Sequence, residues 1–240
     1  MVRETPNARD VLPAGKVTVE PRKDVAVIAR PARAGRGPQH RRVPLAEAAE
    51  EYLSAGWSVT PGAYWNPQSR TYRCGRPHCD LKGPHPVDAT APGRCRPEAG
   101  VRAAHPAQVT GWWHAHGYAV MMPTGALSAT VLAGPPEVID VLAGHLEASG
   151  HPAPVLAYPS GEHQLFSAPL VIDEALWLGT AVGRIVLHGA GSWVTLPPST
   201  VSAGRLAWLR PPWETGWRLP PSAEVLAALR TTARRDDAEA

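Results

Sequence analysis

Val155-Leu156-Ala157-Tyr158-Pro159-Ser160-Gly161-Glu162-His163-Gln164-Leu165-Phe166-Ser167-Ala168 reads as two short apolar strands, 155–158 and 164–168, folded about a turn at Ser160-Gly161. Immediately before it, residues 136–149 place Val138, Val141, Leu142 and Leu146 at helical spacing, with Gly150 as the stop. A helix feeding a hairpin, rather than a strict strand-helix-strand alternation, points to an α+β (mixed α/β) domain built on a mixed sheet.

The rest of the chain fits that class. Residues 45–53 place Leu45, Ala48, Ala49, Tyr52 and Leu53 on one helical face and glutamates on the other, and Gly56 closes the helix. Residues 57–61 read as a short strand stopped by Pro61. A helix over 105–116 carries Val109, Trp112 and Trp113 inward, and the apolar run 118–122 is a buried strand ending at Pro123-Thr124-Gly125. Residues 183–188 and 192–196 form a further hairpin about Gly189-Ala190-Gly191, and a last helix covers 222–232, with Ser222 as its cap and a fraying tail beyond.

Composition bounds the setting. A chain of 240 residues with 44% hydrophobic content can bury one good core, or one domain plus tails, and it has no apolar run long enough to span a membrane. The opening residues lack the apolar stretch of a secretory signal, so a cytoplasmic protein is expected. Residues 1–44 hold ten Lys/Arg against four Asp/Glu with abundant Pro and Gly, a composition that buries little and reads as a disordered basic arm. The folded domain is then expected over 45–220, with the C-terminal helix and tail over 221–240. The prevalence of Arg and Ala suggests a GC-rich genome.

All three cysteines fall within one loop. Cys74, Cys79 and Cys95, with His85, make a Cys₃His set suited to a closed structural zinc site, with His78 in reserve. Three unconnected thiols on a loop are the alternative. Arg205, Arg210 and Trp213 interleave cation and indole as a single-stranded nucleic-acid groove would, whereas Trp193 and Trp208 read as core.

From about Leu45 to Leu219 the chain resembles the compact actinobacterial domains of bifunctional DNA primase/polymerases, in the archaeo-eukaryotic primase superfamily. The matching features come in family order: Tyr52…Gly56-Trp57; the Cys/His segment ending Gly83-Pro84-His85-Pro86; Trp112-Trp113; Pro123-Thr124-Gly125; Ser160-Gly161-Glu162-His163; and Trp193-Val194-Thr195-Leu196-Pro197-Pro198-Ser199 with Gly204…Trp208. The resemblance implies an RNA-recognition-motif-like core with a packed α/β subdomain. It implies nucleotide phosphates held by Ser160, Gly161 and His163, with a plain Ser-Gly turn as the alternative. It also implies two metal-binding acids on the strand after the Thr-Gly turn, near Thr130 and Ala133, and a third near Val186.

No acid stands at any of those three positions. Catalytic residues for Mg²⁺- or Mn²⁺-dependent nucleotidyl transfer are therefore not identified, and the expectation is a degenerate domain retaining at most nucleotide or DNA binding. Two alternatives stay open: an active, template-directed primase/polymerase acting on single-stranded or primed DNA, and a zinc-stabilised interaction protein whose partner the residues do not name.

Overall fold

The computed structural model describes residues 44–76, 78–88, 95, 106–125, 128–170 and 184–239; the basic arm expected over 1–44 lies outside them except for Pro44. Helix α1 (Leu45–Ser54) buries Ala48, Ala49 and Tyr52. It ends where Gly56, at φ 85°, lets Trp57 N–H reach back to Tyr52 C=O at 2.9 Å. Two short antiparallel strands, β2 (Tyr64–Asn66) and β3 (Thr71–Arg73), form a hairpin. Strand β1 (Thr60–Gly62) precedes it and contains Pro61 instead of stopping at it. Proline is tolerated there because β1 lies at the end of its sheet, where a missing N–H breaks no ladder on the outer side.

Two antiparallel sheets organise the domain. The smaller has the order β1, β4 (Ala119–Pro123), β9 (Trp193–Leu196). The larger has the order β12 (Ala207–Arg210), β6 (Val155–Ala157), β7 (His163–Ser167), β5 (Thr130–Gly134), β8 (Val186–His188). The α+β class is thus observed, but every pairing among the described residues is antiparallel, so the expected mixed sheet is not. A second small hairpin joins β10 (Thr200–Val201) to β11 (Gly204–Arg205).

Strand alternation divides the large sheet's residues between two cores. Leu132, Leu165 and Val155 pack under α3 (Pro136–Ala148) and α4 (Ser222–Glu239), against Ile139, Leu142, Leu146, Val225 and Leu229. On the opposite face Val131, Leu156, Phe166 and Trp208 meet α1, α2 (Pro106–Ala115) and the smaller sheet, against Trp57, Val109, Val120 and Val194. Trp57 stacks on Phe166 (centroids 5.6 Å) and on Tyr52 (5.8 Å). The Tyr52 hydroxyl donates to Pro197 C=O (2.8 Å) and accepts from Trp208 Nε1 (2.9 Å), tying α1 to both sheets.

Three local expectations change. On α3, Ile139 and Ala143 face inward, while Val141 stands exposed, because the buried stripe turns slightly from the one read in sequence. Helix α4 begins at Ser222 itself, with Val225 N–H bonded to Pro221 C=O, and continues past Thr232 to Glu239. Most consequentially, β8 and β9 do not pair with each other: β8 pairs with β5, and β9 with β4. The turn Gly189-Ala190-Gly191 carries the chain from one sheet to the other.

That turn docks on Pro123-Thr124-Gly125. Thr124 gives its hydroxyl proton to Gly189 C=O and its N–H to Ser192 C=O (2.9 Å). Gly125 sits at φ 124°, and a Cβ there would lie 2.8 Å from the Cα of Ala190. No side chain fits the approach. Buried Ser199 likewise braces the small sheet, its Oγ accepting from Val120 N–H at 2.8 Å.

Candidate nucleotide cleft and metal centre

The Cys/His loop is stitched to the outer edge of β1: Ala63 N–H donates to His85 C=O (2.8 Å) and Val87 N–H to Pro61 C=O (2.9 Å). Cys95 is brought in by a bridge to Val87, and Cys74 follows directly on β3. The sulfurs of Cys74, Cys79 and Cys95 and a ring nitrogen of His85 all lie within 4.8 Å of one another. Cys74 Sγ is 2.9 Å from Cys95 Sγ, well beyond a covalent bond of about 2.05 Å, and Cys79 Sγ is 3.5 Å from His85 Nε2.

His85 Nδ1 donates to Gly83 C=O (2.8 Å), which leaves the Nε2 lone pair for a metal and fixes the ring. Burial, only partly opposed by that carbonyl, holds its pKa below the ordinary imidazole range, so it stays neutral as a ligand must. Burial and the neighbouring thiols push the Cys95 thiol up. The four residues expected from sequence are therefore together and could hold a metal ion such as zinc. His78 is exposed and outside the group.

A cleft of about 340 Å³ opens beside this loop. Tyr158, Ser160, Glu162 and Gln164 of the β6–β7 hairpin line one wall, Val186 and His188 of β8 continue it, and Trp193 faces them. Trp193 Nε1 donates to Pro84 C=O (3.1 Å), so the residue next to His85 also borders the cleft. Trp193 is half-buried at this wall, whereas Trp208 is core.

Of the three residues expected at nucleotide phosphates, Ser160 lines the cleft and Gly161 makes the turn at φ 98°. His163 is not brought there. Adjacent strand residues face opposite ways, and its Nδ1 is 2.8 Å from Asp140 Oδ1 on α3. Gln164 takes the cleft side: it is 5% exposed, its Nε2 donates to Glu162 Oε1 (2.9 Å), and its Oε1 has no partner among the described residues. Sequence reasoning missed Gln164; counting alternate residues back from buried Phe166 would have found it.

The expected acid positions separate in the same way. Ala133 is paired with Gln164 on one side and with Val186 on the other, a row of three across β7, β5 and β8. Thr130, three residues from Ala133, falls on the opposite face, its Oγ1 accepting from Leu170 N–H at 3.0 Å. Residues 49–225 match the sequence model of the family described as bifunctional DNA primase/polymerase, N-terminal.

The chain belongs to that family. No curated protein and no solved structure matches it.

Nucleotidyl transfer by a primase/polymerase uses two divalent ions held by converging carboxylates. Neither β5 nor β8 carries one, and Glu162 is the one acid lining the cleft. Glu137 and Asp140 lie on α3, across the sheet, where Glu137 pairs with Arg184 and Asp140 with His163. The described residues therefore do not fit the two-ion arrangement. Asp173 and Glu174 lie outside them.

The three residues read as a nucleic-acid groove do not share one. Arg210 is paired with Glu147 of α3. Trp213 is 49% exposed and tilted against Trp217, and Arg205 lines a second cleft. No helix among the described residues is long and apolar enough to cross a membrane.

Proposed function

We propose that this primase/polymerase-family domain is catalytically degenerate, and that it keeps the fold and a zinc-stabilised loop while serving as a cytoplasmic nucleic-acid-binding module in replication or repair. The observation that carries the reading is the row Gln164-Ala133-Val186 on the cleft wall, in which aliphatic Ala133 and Val186 stand on β5 and β8, the strands where the resemblance puts metal-binding acids, beside the Gln164 amide of β7. Two cations cannot be positioned for in-line attack without protein ligands, since bound triphosphate alone leaves both free to reorient.

Zinc is the ion that best fits three thiols and one neutral imidazole; its part is structural, closing the loop that borders the cleft. Ser160 and Gly161 remain available to a nucleotide, and the basic residues of 1–44 supply long-range attraction for phosphates.

The test is a primer-synthesis and primer-extension assay with Mg²⁺ and with Mn²⁺, run beside a single-stranded DNA binding titration. Binding without incorporation is expected. Incorporation that is lost in an Asp173→Asn, Glu174→Gln variant would return the chain to the active enzymes. Absence of both binding and incorporation would leave the zinc loop as the basis of a protein-interaction role.

A further inference from the structure

The two clefts differ in charge. Glu162 is the one Asp, Glu, Lys or Arg lining the first; burial holds the His188 pKa below the usual imidazole range, and burial, with the Tyr72 and Glu162 charges, pushes Tyr158 up to about 12. A polyphosphate entering it meets a carboxylate and no cation from the described lining. The second cleft, about 320 Å³, has Arg205 as its one charged lining residue, with the rings of Tyr64 and Trp65 beside it. Arg73, paired across the hairpin with Tyr64, and Arg70 in its turn are exposed and make no ion pair among the described residues.

The second cleft is also braced. The Tyr72 hydroxyl accepts from Ser202 N–H (2.9 Å), fastening the β2–β3 hairpin to the β10–β11 hairpin that carries Arg205. Trp65 leans on Tyr72 with ring centroids 5.1 Å apart, so its ring is held at the cleft rather than free to collapse onto it. Cations interleaved with a fixed, half-exposed indole suit a single strand: phosphates meet guanidinium groups and an unpaired base stacks on the ring.

We infer that single-stranded DNA binds this chain across the second cleft, stacking on Trp65 with a phosphate on Arg205, and not in the cleft where the family performs its chemistry. This deepens the nucleic-acid-binding half of the proposed function and rests on it. Neither Arg210 nor Trp213 takes part.

Fluorescence anisotropy of a labelled oligothymidine, titrated with the full chain over a range of salt concentrations, tests the surface. Trp65→Ala is expected to weaken binding about tenfold, with Trp65→Phe retaining most of the affinity. Arg205→Ala is expected to lower the magnitude of the log-affinity against log-salt slope by about 0.7, the share of one phosphate on a single strand. Each variant is melted alongside, so that a misfolded protein is recognised, and the milder Trp65→Leu and Arg205→Gln, which still remove the aromatic face and the charge, carry the test where alanine unfolds the hairpin. Wild-type affinity in both alanine variants, with loss in Arg210→Ala or Trp213→Ala, overturns this surface and leaves DNA binding standing. No binding by the wild-type chain removes both.

Discussion

Rebuilding two carboxylates tests where the family's metal site lies in this fold. Ala133→Asp with Val186→Asp places acids at directly paired positions of β5 and β8, with Cβ atoms about 5 Å apart. Val186 is 59% exposed, so its substitution alone should cost within about 0.5 kcal/mol. Ala133 is 1% exposed, and an uncompensated carboxylate there should cost about 3–5 kcal/mol.

The repulsion between the two acids adds to that cost until a cation bridges them. At a Mn²⁺ concentration about one hundred times its dissociation constant, binding to the folded state alone returns about 2.7 kcal/mol. For a domain of this size that is a rise of about 5–11 °C in melting temperature. The assay is a thermal melt across a Mn²⁺ titration without chelator, so the Cys/His site is left undisturbed. Thr130→Asp with Val186→Asp is the decisive comparison, because Thr130 faces the other side of β5. A Mn²⁺-dependent rise in the Thr130 pair, or none in the Ala133 pair, would refute the placement. Neither variant should extend a primer, because a third acid is still missing.

Purified wild-type chain should carry about one zinc per molecule, and Cys79→Ser should lower both zinc content by metal analysis and melting temperature; unchanged stability in a metal-free variant would exclude the site. Tyr52→Phe removes a hydroxyl that serves two buried partners, Pro197 C=O and Trp208 Nε1; a loss of about 2–4 kcal/mol is expected in urea unfolding, with DNA affinity unchanged. His188 is held below its unfolded-state pKa of about 6.5, so the unfolded chain binds the proton first and stability should fall as pH drops below that value and stay flat above it. His188→Asn should remove that part of the acid sensitivity, measured as the urea midpoint against pH.

Local chemistry was enough for much of this. Helical spacing located α1, α2 and α3, because amphipathic period and a glycine stop act within a few residues of each other. The Cys₃His set was legible because its ligands crowd one Gly/Pro-rich loop. The want of acids could be read directly, since no register of β5, from Thr130 to Gly134, contains one.

Tertiary structure decided what depends on partners far along the chain. Strands β8 and β9 are separated by a glycine-rich turn that would suit a hairpin, yet each is completed by a strand from a different part of the chain, β5 and β4. The Ser-Gly turn shows the same division at one residue. Sequence places His163 and Gln164 side by side, and only the sheet's two packed faces, one against α3 and one against the cleft, determine that Gln164 lines the cleft while His163 meets Asp140. The second cleft takes Tyr64 and Trp65 from one hairpin and Arg205 from another, and the contact between Tyr72 and Ser202 that fastens the two spans 130 residues of sequence. Periodicity and composition are properties of neighbours, whereas strand pairing and face assignment are won by burying surface from remote segments together, and a local signal carries no record of which segment that will be.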